Sequence, residues 1–133
     1  MHEPSLTAAS LRRRLLCIAA VLGALAVVAG AFGAHALNAR VPARMLEVWA
    51  TGVRYQMWHA LALLGAVALL DQLSVRLLRL AGHAWVLGVV IFAGSLYLLV
   101  LTGYTALGAL TPVGGLLLIV GWVLLALAAW RGP

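Results

Sequence analysis

Between Gly82 and Trp130 the only side chain that ionises near neutral pH is His83, and nearly everything else in that stretch is apolar. A helix rises about 1.5 Å per residue and a bilayer core is about 30 Å thick, so roughly 20 apolar residues span once and this run is too long for a single crossing. Turn-forming residues from Gly103 to Pro112, with Tyr104 among them, divide it into spans at 82–102 and 112–130. Thr111-Pro112 predicts an N-cap followed by a first-turn proline at the start of the last helix. The remaining composition agrees: 65% of residues are hydrophobic, 9% are charged and mean hydropathy is +1.11. A water-soluble domain carries about a quarter of its residues charged, which excludes that class.

Upstream, Leu15 to Leu37 forms a further run behind Arg12, Arg13 and Arg14, with His35 its one ionisable group and Asn38 a helix stop. Ala34-His35-Ala36 has the small-x-small form of a leader cleavage site. A leader's apolar core is only about 7–15 residues, however, so the run is read as a retained span. The second segment, 42–70, starts at Pro42 and is composite. Ala60 to Leu70 is purely apolar, but Arg44, Glu47, Arg54, Tyr55, Gln56 and His59 precede it, so if this segment spans, part of its polar half enters the membrane. Asp71 to Ala81, with Arg76 and Arg79, is expected to be a short interfacial connection. The chain is therefore expected to be one all-α domain over residues 1–133, an integral membrane bundle of four transmembrane helices.

All nine basic residues are arginines, set against Glu3, Glu47 and Asp71, for a net charge of +6. They cluster at the ends of apolar runs, which points to membrane orientation and away from nucleic acid. An amino terminus on the inner side collects Arg12, Arg13, Arg14, Arg76, Arg79 and Arg131 there and leaves Arg40 and Arg44 outside. Both termini are thus expected in the cytoplasm. Trp85 and Trp130 at the inner boundary, and Trp49 and Tyr104 at the outer one, are expected to form aromatic belts. Cys17 stands alone and makes no internal disulfide.

Small residues supply candidate helix contacts, because lipid gives helices little hydrophobic drive to associate. Ala26, Gly30 and Ala34 recur every four residues; Ala81, Gly88 and Ser95 recur every seven, as do Gly114, Gly121 and Ala128. The polar residues follow a similar logic. Depth counting places Arg54, Tyr55, Gln56, Ser95 and Tyr97 in the outer half, with His59 about 16 Å from the inner end. Three- and four-residue steps link Glu47, Thr51, Arg54, Tyr55, Trp58 and His59 into one broad face, which is expected to point into the bundle. An arginine facing lipid costs about 2.5–3.5 kcal/mol, so Arg54 is expected to bond Glu47 or carbonyls and hydroxyls of another helix.

These residues assemble no active centre. No paired carboxylates, phosphate loop or redox dithiol are present, and Ser95 with His59 lacks a carboxylate to orient the imidazole. His35, His59 and His83 lie at depths of about 30, 16 and 2 Å, too far apart for bis-histidine haem, and no ligands cluster for copper or zinc. A proton relay through His59 lacks further titratable groups before Asp71.

The motifs nevertheless form a recognisable set. Gly30-Ala31-Phe32-Gly33-Ala34-His35, Trp49 with Thr51-Gly52, Tyr55-Gln56-x-x-His59-Ala60-Leu61, Phe92-Ala93-Gly94-Ser95-Leu96-Tyr97, and Thr111-Pro112-x-Gly114-Gly115 with Gly121-Trp122 closely resemble the small membrane-protein family known as domain of unknown function 423. Its eukaryotic relatives are called transmembrane protein 256. The resemblance runs from about Leu15 to Trp130; Ala93 departs from it, standing where the family often has serine. It implies a four-helix protein of the bacterial inner membrane with no established activity and no ligand residues to carry over.

The expectation is a non-enzymatic accessory or scaffold protein without cofactor or metal, whose polar core of His35, Glu47, Arg54, Tyr55, Gln56, His59, Ser95 and Tyr97 serves folding. Its partners are the lipid bilayer and a homo-oligomer or larger membrane complex. The alternative is a small-molecule, lipid or ion binding or permease-like protein with those side chains around an outward-facing pocket.

Overall fold

The computed structural model describes residues 6–132 and contains four long helices. They are α1 (Leu6–Phe32), α2 (Ala43–Ala68), α3 (Val75–Thr102) and α4 (Thr111–Arg131). A π-helical turn, Gly33–Leu37, ends α1, and a 3₁₀ turn, Thr105–Ala109, precedes α4. Three helical segments are long and apolar enough to cross a membrane: Ala8–Leu37, Val75–Thr102 and Thr105–Arg131. The composite α2 does not qualify on composition, yet it runs antiparallel beside α1: Arg12 meets Val67, Leu22 meets Gln56, and Ala29 meets Trp49. Its polar half therefore lies level with the carboxy-terminal half of α1.

Helix ends differ from the sequence expectation in instructive ways. Arg76 and Arg79 belong to the first turns of α3 and not to an interfacial connection, because the link from α2 needs only residues 69–74. Asn38 follows the π turn in ordinary right-handed geometry. Gly103 supplies a left-handed stop, closing α3 at φ 71° with its N–H on the Leu99 carbonyl. Thr111 does not cap α4; its hydroxyl is engaged by Ser95 instead.

Contact is most extensive between α3 and α4, and α1 packs chiefly on α2. Hence α2 and α3 form the centre, with α1 and α4 outside. The two seven-residue seams, Ala81-Gly88-Ser95 and Gly114-Gly121-Ala128, are buried throughout. They interlock antiparallel: Ser95 lies against Thr111, Phe92 against Gly114, Gly88 against Leu118 and Trp85 against Gly121. A Cβ on Gly114 would sit 2.4 Å from the Phe92 backbone nitrogen, so only glycine permits this approach. On α1 the stripe departs from its four-residue spacing. Ala26 is buried, but burial continues at Gly33 and Leu37, seven and eleven residues on, and leaves Ala34 exposed.

The aromatic belts are half corrected. Tyr104 and Trp130 are exposed, at 66% and 90%, as boundary residues should be. Trp85 and Trp49 instead sit in the core, because glycines open room for their rings. A Cβ on Gly121 would lie 2.4 Å from the Trp85 ring, and one on Gly33 would lie 2.6 Å from that of Trp49. Asp71 anchors the amino-terminal part of α1 through a 2.5 Å ion pair with Arg12, whose other nitrogen donates to the Val67 carbonyl at 3.2 Å.

Gly114→Ala should lower stability in detergent by about 1–3 kcal/mol, since the added methyl meets backbone that has no rotamer to yield. Gly94→Ala, where the methyl enters open space, should be neutral or stabilising. Unfolding curves for the two variants check this, and equal curves would show that close approach of α3 and α4 adds nothing.

Candidate functional site

Three hydrogen-bonded links join the helices, and they use four of the polar residues singled out by sequence. The first centres on Gln56, buried on α2. Its Nε2 donates to the Leu22 carbonyl of α1 at 2.9 Å, and its Oε1 accepts from the Tyr97 hydroxyl of α3 at 2.8 Å. One amide thus ties three helices, using its donor and acceptor ends separately. Tyr97 fits beside α2 because Gly52 has no side chain; a Cβ there would lie 2.8 Å from the ring.

The second link joins α2 to α4 through His59. The Trp122 indole N–H, which can only donate, points to His59 Nε2 at 3.1 Å. Nε2 must therefore accept, so the proton sits on Nδ1, which donates to the Tyr55 carbonyl at 2.7 Å. Both ring nitrogens are committed, leaving neither open to a metal or relay partner while these bonds hold. Tyr55 flanks the histidine by ring contacts, with Phe92 at 4.6 Å and Trp58 at 5.1 Å between centroids.

The third link joins α3 to α4. Ser95 donates to its own-helix Phe92 carbonyl at 2.9 Å and accepts from the Thr111 hydroxyl at 2.8 Å. Ser95 and His59 accordingly bond different partners and form no nucleophile–base pair. A supporting bond runs from the buried Trp49 indole N–H to the Ala29 carbonyl at 2.8 Å, one turn before the α1 ladder changes to π register.

The remaining residues lie elsewhere. The polar face of α2 splits instead of pointing wholly inward: Gln56 and His59 are buried, while Arg54 and Glu47 keep 52% and 77% of their side-chain surface. Arg54 uses no other helix. Its guanidinium donates to the Thr51 hydroxyl at 3.2 Å and stands 4.0 Å from the Glu47 carboxylate, both on α2. The physical reason is rotation about the helix: Arg54 lies on an exposed side of α2, one turn from Thr51 on the same face, so its guanidinium bonds within α2. His35 is exposed on the π turn, and His83 is exposed with its Nδ1 on the Arg79 carbonyl at 2.6 Å.

No single cavity gathers the eight residues. Glu47 and Arg54 line a groove of about 460 Å³ between the end of α1 and the start of α2, with Asn38 and Trp49. Tyr55 and His59 line another of about 530 Å³ facing Trp122, and Gln56 and Tyr97 a third of about 370 Å³ beside Phe32. Among the described residues no group of three or more His, Cys, Asp or Glu lies together. The Trp85 indole N–H is buried without a hydrogen-bond partner, its ring edge lying over Gly121.

Sequence reasoning did not identify Trp122, Thr111, Trp49 or the Leu22 and Ala29 carbonyls. The sequence places Trp49 at a boundary, Thr111 at a helix cap and Trp122 only within a family motif, and main-chain acceptors have no sequence signature. The usable signal was the pairing of glycines with aromatics: Gly33, Gly52 and Gly121 each accommodate a ring.

Residues 29–115 match the family described as protein of unknown function DUF423. The chain is 44% identical over 115 residues to the UPF0382 membrane protein YwdK of Bacillus subtilis, covering 86% of this chain and 94% of that one. A UPF0382 membrane protein of Staphylococcus aureus is 43% identical, with 84% and 93% covered. One from Haemophilus influenzae is 36% identical over 121 residues, with 91% and 97% covered. No solved structure matches the chain. With its four helices, its interlocking glycine seams and relatives matched over nearly their whole length, the chain belongs to the DUF423 family of membrane proteins.

Proposed function

We propose that this protein is a non-enzymatic accessory or scaffold component of the bacterial inner membrane, in which the intramembrane polar groups hold four helices in one arrangement. The observation that carries this reading is the Tyr97–Gln56–Leu22 link: the buried Gln56 amide is spent on a side chain of one neighbouring helix and the main chain of another. A catalytic or carrier site needs such groups free and convergent on a cavity. Both termini lie on the cytoplasmic side in this reading, with the arginines of the α1 and α3 amino-terminal turns and of the α4 end facing inward.

A locking role has an energetic signature. Interhelical hydrogen bonds in membranes are worth about 0.6–1.7 kcal/mol. Gln56→Leu and Tyr97→Phe should each destabilise the detergent-solubilised protein, and a double-mutant cycle should show positive coupling in that range. Arg54→Ala, removing an exposed side chain, should change stability by less than about 0.5 kcal/mol. A coupling of zero between positions 56 and 97 would remove the basis of the reading.

Assembly and orientation have their own readouts. Native mass spectrometry after extraction from membrane should find the chain in a homo-oligomer or a stoichiometric complex; a uniformly monomeric chain refutes the scaffold role. Reporter fusions at either terminus should be active only in the cytoplasm, and a periplasmic signal overturns the orientation.

A second reading, ligand binding at the outward side, is favoured by the groove beside Asn38, Glu47 and Arg54. It requires Arg54→Ala to stay folded and lose an anionic or polar ligand.

A further inference from the structure

The arginine-bearing ends of α1 and α3 frame a groove of about 670 Å³ that belongs to none of the polar links above. Both helices run in the same direction, so their amphipathic ends coincide. Arg14 on α1 and Arg79 on α3 stand at one end of the groove; Ile18 on α1 and Val86, Leu87 and Val90 on α3 line the rest. From Arg79 to Val90 the wall is about 16 Å long at helical rise, which is half the thickness of a bilayer core. Its inner wall closes where Gly82 packs against Leu15, so the groove opens sideways toward lipid.

Charge and pairing single out the occupant. Arg12 is neutralised by Asp71, but among the described residues the guanidiniums of Arg14 and Arg79 have no ion pair or hydrogen bond and no carboxylate lines the groove. Two unpaired guanidiniums at the mouth of an apolar trough one leaflet deep match a phosphate with its acyl chain beneath, since arginine forks grip phosphate through paired N–H donors. Basic pockets between helices on the positively charged side of a membrane protein are known to select anionic headgroups. We propose that this groove holds one anionic phospholipid of the adjoining leaflet, with its phosphate on Arg14 and Arg79 and an acyl chain along Ile18, Val86 and Val90. His83 lines the mouth with its Nδ1 held by the Arg79 carbonyl, so it shapes the entrance and the arginines supply the charge.

The test is native mass spectrometry of the full chain in detergent, titrated with phosphatidylglycerol and with phosphatidylcholine of identical acyl chains. Phosphatidylglycerol should bind tighter by about tenfold or more, each arginine accounting for about fivefold. Arg14→Gln with Arg79→Gln should abolish the preference, and either single variant should lose about fivefold, which keeps the test decisive if the double variant does not fold. Arg131→Gln removes the same charge at the end of α4 outside the groove and should leave the preference intact; an equal loss there means diffuse electrostatics and overturns the site. Val86→Trp, which fills the trough, should weaken both lipids. Equal binding of the two lipids overturns the proposal. So does full displacement of phosphatidylglycerol by an equal concentration of inorganic phosphate, which would mark a headgroup site without a chain. Crosslinking of a photoreactive group placed at position 90 to a second copy of the protein, and not to lipid, overturns it as well.

Discussion

Apolar helices surrounded by hydrocarbon gain almost nothing by exchanging lipid contacts for contacts with each other, so what brings them together must be closeness of approach or polar bonding. In this protein both devices operate, with different weight on different interfaces. Between α3 and α4 closeness dominates: Gly88, Gly114 and Gly121 admit Leu118, the Phe92 backbone and the Trp85 ring to distances that any larger residue forbids. Across α1, α2 and α3 the buried Gln56 amide supplies a bond in each direction. Remove either device and the neighbouring helices have only side-chain dispersion left to hold them.

That division explains the odd composition of α2. A segment with Glu47, Arg54, Gln56 and His59 in one half is a poor membrane span by hydropathy. It is tolerable because its polar groups separate by position around the helix. Gln56 and His59 turn inward and find acceptors and donors; Arg54 and Glu47 turn outward and interact along their own helix. His59 shows how tightly the interior is specified, since a donor-only indole on one side and a main-chain carbonyl on the other admit a single tautomer.

How much of this was legible beforehand follows from which kind of period carried the signal. Seven-residue recurrence of Ala81, Gly88 and Ser95, and of Gly114, Gly121 and Ala128, identified buried seams correctly, because small residues are the only ones that allow such contact. The four-residue stripe at Ala26, Gly30 and Ala34 failed at its last member, because a strict four-residue step drifts off one face of a 3.6-residue helix and burial passes to Gly33 and Leu37. Likewise Trp85 and Trp49 read as belt residues from their distance to a run's end. Only the opposing glycines, remote in sequence, made room for them inside.

The sequence alone determined the four helical segments, the three apolar spans, the arginine-rich ends and the family, because hydropathy, charge placement and motif order are properties of the chain taken in one dimension. Which polar groups meet was decided only in three dimensions. Gln56 with Leu22 and Tyr97, His59 with Trp122, and Ser95 with Thr111 each depend on the relative height and rotation of separate helices, and one of the acceptors, the Leu22 carbonyl, is a main-chain group that every residue possesses. The same holds for Arg14 and Arg79, 65 positions apart, whose convergence over one apolar groove follows from α1 and α3 being parallel neighbours in the folded bundle.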